Sequence, residues 1–270
     1  MTDDRQAGIA ESSRTQITFL GTAAVVPGRG QDSTCFVING KHLVDTGWYG
    51  ALKMLHYGLD PMDLDTLILT HCHHDHYLGL PLLLFYRSTC AARRPDGPPL
   101  KIIGPQEDLE RVVRLALQFL QSDRYPVVAP AVELFPLSPG DRFETDSVQL
   151  EPCVAIHTVP ALCYRFTDRH NGKTFAFTGD TAPSAKIVEH VRGLPLLIHE
   201  ASYGPAPAPA DDAYLHSGAP DAARIASEAR VGRLALVHGV AEKQEAAVAA
   251  AQALFPNTFW PADGQTVTVE

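Results

Sequence analysis

An α/β fold, with sheets covered by helices, is the class this 270-residue chain predicts. Three observations predict it. Short apolar strand-like runs alternate with helically spaced segments towards both ends of the chain. The middle, residues 127–168, is almost wholly strand-like. Four apolar runs end in Asp45, His71, Asp180 and His238, one Asp and one His in each half. Strand ends from both halves would then deliver metal-type side chains to one edge of a sandwich.

In chain order, residues 17–25, 34–38 and 42–44 read as strands, with Asn39-Gly40 as a hairpin signal between the last two. A helical segment covers 49–57, and a strand over 64–70 runs straight into a histidine cluster. A helix over 79–92, a breaker-rich loop over 94–99, a strand over 101–104 and a helix over 107–121 follow. Later strands cover 175–178, ending in Gly179-Asp180, and 194–199, ending before Glu200. The Pro/Ala-rich stretch 204–212 reads as a flexible flap, and Ser217 as the cap of a helix over 220–229. A strand over 233–237 precedes His238, a helix covers 242–255, and a strand over 266–270 closes the chain. Residues 1–15 read as a flexible tail and 16–270 as one domain, without repeats.

Composition narrows the function. Apolar residues make up 45% and charged residues 20%, the balance of a soluble globular protein. The net charge is −9 and no Lys/Arg run is present, so no nucleic-acid partner is expected and a small-molecule substrate is. The longest apolar stretch, 78–86, is too short for a bilayer, and the polar N-terminus resembles no signal peptide. Five unpaired-looking cysteines suit a reducing compartment. A cytoplasmic protein with no membrane partner is the expectation.

Residues 70–76, Thr-His-Cys-His-His-Asp-His, carry the chemistry. In extended backbone His71 and His73 point the same way and can reach one ion, while Asp75 and His76 follow the turn and can approach a second. Imidazole and carboxylate suit Zn²⁺, Mn²⁺ or Fe²⁺. A solvated histidine-rich tract is the bland alternative, but such tracts do not sit between a buried strand and an apolar helix. A catalytic centre needs further ligands, and strand ends offer His157, Asp180 and His238.

The His-X-His-X-Asp-His segment resembles the signature of the metallo-β-lactamase fold superfamily. Phe19-Leu20-Gly21-Thr22 with Pro27 resembles the start of its ribonuclease Z, arylsulfatase and cyclic-phosphodiesterase branch. Residues 43–47, His157 with Cys163-Tyr164-Arg165, residues 177–181, His199-Glu200-Ala201 with His216-Ser217, and residues 236–238 resemble later motifs in the same order. The resemblance implies a four-layer αββα sandwich with a dinuclear site. It implies that His71, His73 and His157 hold one ion, that Asp75, His76 and His238 hold the other, and that Asp180 bridges them. Asp45 would orient a ligand histidine or else cap a turn.

Two divalent ions, zinc first and manganese or iron next, would activate a water as nucleophile, with Asp75 orienting it. Glu200 and His216 would protonate the leaving oxygen, or else form a structural hydrogen bond. Only 22 residues separate His157 from Asp180, so the long insertion of ribonuclease Z proper is missing there. A small phosphodiester, cyclic ones included, is the first substrate class; sulfate esters, lactones, carboxylic esters and aryl ethers fit the same site. An RNA-processing nuclease, an iron-dependent dioxygenase and a non-catalytic binding protein are the alternatives. The branch often forms dimers, so a homodimer is a further expectation. Tyr164 and Arg165 could meet an anionic substrate or else lie on a strand surface; His74 reads as exposed loop and no ligand, His42, His56, His170 and His190 as surface or helix residues, and His199 as core or as support behind the ligands.

Overall fold

The computed structural model describes residues 14–93 and 97–270. Of the expected tail, 1–13 lie outside the described residues, as do 94–96 of the breaker-rich loop. Thr15, expected in the tail, opens the first strand.

The chain runs β1 (Thr15–Gly21), β2 (Cys35–Ile38), β3 (His42–Val44), α1 (Gly50–His56), β4 (Thr66–Ile68), α2 (His74–Tyr77) and α3 (Leu80–Thr89). It continues with β5 (Leu100–Pro105), α4 (Leu109–Phe119), β6 (Val132–Leu137), β7 (Phe143–Glu144), β8 (Val148–Val154), β9 (Leu162–Asp168) and β10 (Thr174–Phe177). The last part holds α5 (Ala185–His190), β11 (Leu196–Glu200), α6 (Ala219–Ala229), β12 (Arg233–Val237), α7 (Gln244–Gln252), β13 (Thr258–Phe259) and β14 (Thr266–Val269).

Two seven-stranded sheets result, in the orders β14-β1-β2-β3-β4-β5-β6 and β13-β12-β11-β10-β9-β8-β7. Their facing sides bury one apolar layer, in which Phe19, Phe36 and Ile68 of the first sheet meet Phe166, Phe175 and Phe177 of the second. Phe36 meets Phe177 edge-on at 5.3 Å between centroids, a favoured aromatic geometry. The outer face of the first sheet is covered by α1, α3 and α4 through Met54, Leu83, Leu84 and Val112. The outer face of the second is covered by α5, α6 and α7 through Ile187, Ala222, Ala226 and Ala247. Four layers, αββα, are the architecture expected.

The inner strands read as unbroken apolar runs because both of their faces are covered. Predicted bounds differ from the observed ones by a few residues, and three elements differ in kind. The α5 helix and the two-residue β13 are too short to leave a periodic signal. Ser217 does not cap α6: its hydroxyl donates to the Thr181 carbonyl, and the N-cap is Gly218, whose N–H donates to the Asp221 carboxylate. The stretch expected as a flap is tethered, with the Tyr203 hydroxyl on Asp212 and the Ala208 N–H on Asp221.

Candidate metal centre

Strands β3 and β4 run parallel, as do β10, β11 and β12, so their carboxyl ends share one edge, where α/β sheets place ligands. Asp45 follows β3 and His238 follows β12, both in left-handed backbone, φ 51° and 56°. Non-glycine residues rarely adopt this region, and such strain concentrates at functional sites. Gly179, at φ 59°, precedes Asp180; a Cβ there would lie 2.8 Å from Thr70 Cβ, so only glycine lets the two sheet edges meet. His157 comes from the loop joining β8 to β9, beside the bridge between His71 and Ala161.

All seven predicted ligands converge. One ring nitrogen each of His71, His73 and His157 lies within 4.8 Å of the others; so do donor atoms of His71, His76 and Asp180, and of Asp75, His76 and His238. Asp180 Oδ2 lies 3.8, 3.5 and 3.4 Å from Nε2 of His71, His76 and His238, which places it between the groups. Asp75 Oδ2 lies 3.4 Å from His76 Nε2 and 3.1 Å from His238 Nε2. His74, between ligands in sequence, is exposed, as expected.

The orientation of the rings is set from behind. Asp45 accepts the Thr70 N–H and hydroxyl at 2.8 Å each, and His76 Nδ1–H at 2.8 Å. Since the Thr70 hydroxyl is committed to Asp45, His71 Nδ1–H donates to Thr70 Oγ1 at 3.1 Å. His157 Nδ1–H donates to the Leu215 carbonyl at 3.1 Å. His238 Nδ1–H donates to Ser202 Oγ at 2.9 Å, whose own proton goes to Glu200 Oε2 at 2.6 Å. Four rings therefore have Nδ1 tied back and Nε2 turned towards the other members of the cluster, the pattern by which acceptors orient metal-ligating histidines. Asp45 is the orienting group and not a helix cap. His73 is the exception, with its Nδ1 2.9 Å from His157 Nε2.

Two of these nitrogens, His71 Nε2 and His76 Nε2, and Asp180 Oδ1 are buried without a hydrogen-bond partner. Orphaned buried polar atoms are costly. A cation with nitrogen and oxygen ligands would satisfy all three, so the residues fit the divalent ions that the fold implies. Burial first, then the neighbouring histidines, pushes His71 well below the usual imidazole range, leaving it neutral and able to ligate. Burial also lowers His73 and His157. Burial opposes charge on His76 and His238 too, but Asp180 and Asp75 outweigh it and raise both. In the ion-free chain, protons there stand in for cations against the carboxylates, and ion binding would displace them.

Glu200 and His216 lie beside this centre, with Nδ1–H donating to Glu200 Oε1 at 2.9 Å. Burial opposes charge on His216, but Glu200 raises it to about 9. Ser202 was not predicted. It links Glu200 to His238, and its one signal is the i+2 spacing from Glu200 that puts both on one side of the chain end. The Leu215 carbonyl, a backbone group, left no signal at all.

Several candidates lie elsewhere. Tyr164 is core, its hydroxyl on the Leu69 carbonyl at 3.2 Å. Arg165 faces outwards, with Nε 3.9 Å from Glu151. His42, expected at the surface, is only 1% exposed. The second sheet covers it, which a three-residue strand could not foretell. His199 is core as expected.

A fold and a centre of this kind define a metal-dependent hydrolase. The chain belongs to the family described as the Beta-lactamase superfamily domain, which matches residues 42–239. Ribonuclease BN of Citrobacter koseri is 26% identical over 312 residues, covering 94% of this chain and all of the relative. Among solved structures, the metallo-beta-lactamase fold protein YhfI from Bacillus subtilis superposes with a TM-score of 0.80 at 22% identity, covering 94% of this chain and 99% of that one. The short form of human tRNase Z superposes at 0.72 with 21% identity, covering 94% and 99%. A diphosphatase of the PhnP family superposes at 0.71 with 22% identity, covering 95% and 98%.

These relatives overturn the expectation of no nucleic-acid partner, because ribonuclease BN and tRNase Z are named for RNA. A net charge of −9 sums the whole surface, whereas phosphate contacts depend on local groups. Among the described residues, no helix is long and apolar enough to cross a membrane.

Proposed function

We propose that the chain hydrolyses phosphodiester bonds with two divalent ions, zinc first. His71, His73 and His157 would hold one, Asp75, His76 and His238 the other, and Asp180 both. The observation that carries this is the set of four histidines with Nδ1 tied back and Nε2 turned towards Asp75, Asp180 or His73. When bound, such ions supply Lewis acidity, bring the pKa of a water towards neutrality and offset charge on phosphoryl oxygens. Asp75 is placed to orient the attacking water. His216, with Nδ1 held by Glu200, keeps Nε2–H for the departing oxygen.

A small phosphodiester, cyclic ones included as in the resemblance, is the first substrate class. RNA is the second reading, favoured by the names of ribonuclease BN and tRNase Z. The test compares zinc-loaded protein on bis-nitrophenyl phosphate, a cyclic nucleotide, a single-stranded RNA, a sulfate ester and a lactone. Preference for either phosphodiester class supports the proposal. Turnover of only the sulfate ester or the lactone would refute it.

A further inference from the structure

We infer that Cys153, Cys163 and His190 form a separate thiolate site for a single zinc ion. Cys153 and Cys163 are direct partners across the β8–β9 ladder, so their side chains share a face. His190 ends α5, whose Ile187 and Val188 pack in the same apolar cluster as Cys163. Both sulfurs and one ring nitrogen of His190 lie within 4.8 Å of one another. His190 Nε2–H donates to the Glu151 carbonyl at 2.9 Å, which leaves Nδ1 bare. A backbone acceptor thus orients this ring as one orients His157.

The chemistry fits zinc. Tetrahedral bonds of about 2.3 Å to sulfur and about 2.0 Å to nitrogen need donors about 3.5–3.8 Å apart, a spacing that side chains gathered this closely can adopt. Cys153 and His190 are partly exposed while Cys163 is buried, so solvent reaches one side and water can complete the coordination. Two thiolates select soft or borderline ions, unlike the nitrogen and oxygen set around Asp180. The next pair along the ladder on the same face is Glu151–Arg165. The hydrogen bond that the Cys163 thiol donates to Cys153, together with burial, pushes that thiol up, so loading releases protons. The loop after β8 carries His157, and an ion at this position would clamp the hairpin that presents it.

Cobalt(II) added to the metal-stripped whole chain is the probe. A near-ultraviolet thiolate-to-cobalt band is expected, lost in Cys153→Ser, weakened in His190→Gln, kept in Cys72→Ala and displaced by zinc. Wild type should also retain one more equivalent of zinc than Cys153→Ser. Cys153 is partly exposed, so that variant should keep the wild-type circular dichroism even if Cys163→Ala does not fold. Absence of the band in wild type, or its survival in Cys153→Ser, would overturn the site. So would a wild-type mass two hydrogens lighter with the two cysteines cross-linked. Neither readout uses turnover, so this test and that of the hydrolase reading fail separately.

Discussion

The two edges of the sandwich are both joined across the sheets by buried polar side chains, yet they are finished differently. At the edge away from the metal centre, His42 of β3 places Nδ1 2.9 Å from Thr66 Oγ1 and Nε2 2.9 Å from Ser147 Oγ. Asp168 of β9 accepts from Thr15 and Asn39 of the first sheet at 2.8 Å each. Every acceptor and ring nitrogen named there has a partner. At the other edge His71 Nε2, His76 Nε2 and Asp180 Oδ1 have none. His42 is satisfied on both nitrogens, while His71 and His76 are anchored on Nδ1 and open on Nε2.

The largest effect tests the open edge. Asp180→Ala should lose bound metal and reduce turnover by several orders of magnitude, read by elemental analysis and kinetics. Full metal content with full activity would end the comparison. His216→Ala should slow substrates with poor leaving groups by about 10²–10⁴-fold and nitrophenyl esters far less. Equal losses would remove the proton-donor role.

The closed edge has its own signature. Burial lowers His42 to about 4, from an ordinary value near 6.5. The unfolded chain then binds a proton that the folded chain refuses. Stability is therefore full above pH 6.5 and falls as pH drops towards 4, by about 3 kcal/mol for this group. Urea denaturation of His42→Asn should show a flatter pH dependence than wild type across that window; identical slopes would break the contrast. The smallest effect sharpens it. Asp45→Asn, which disturbs the anchor behind His76 and, through Thr70, the one behind His71, should weaken zinc by about 10–100-fold in chelator competition. Unchanged affinity would show that the anchoring is incidental.

The metal-binding edge was legible because its residues are concentrated. Five of the six residues 71–76 are His or Asp, and the other ligands stand at strand ends or in a short loop, where periodicity switches. That helices cover the sheets was legible from the alternation of apolar runs, while the four-layer αββα order came with the family resemblance. What escaped reading depends on partners distant in the chain. His42 looks like a surface residue until Ser147, 105 positions away, is placed against it. Ser202 matters through His238, and Leu215 acts with its backbone alone. The ribonuclease Z resemblance was legible, but RNA was set aside as a partner because whole-chain charge does not report local charge.

The seven side chains of the metal centre span residues 71 to 238 and come from both sheets. A growing chain thus shows only a fragment of the cage until late in its synthesis. The remaining donors arrive in place when the two sheets dock. Capture of ions would then be the closing event of assembly and not its trigger, the reverse of small zinc modules that stay unfolded without metal. The three apolar layers would have to hold the architecture upright beforehand, and the cations would act as a latch on a door already hung.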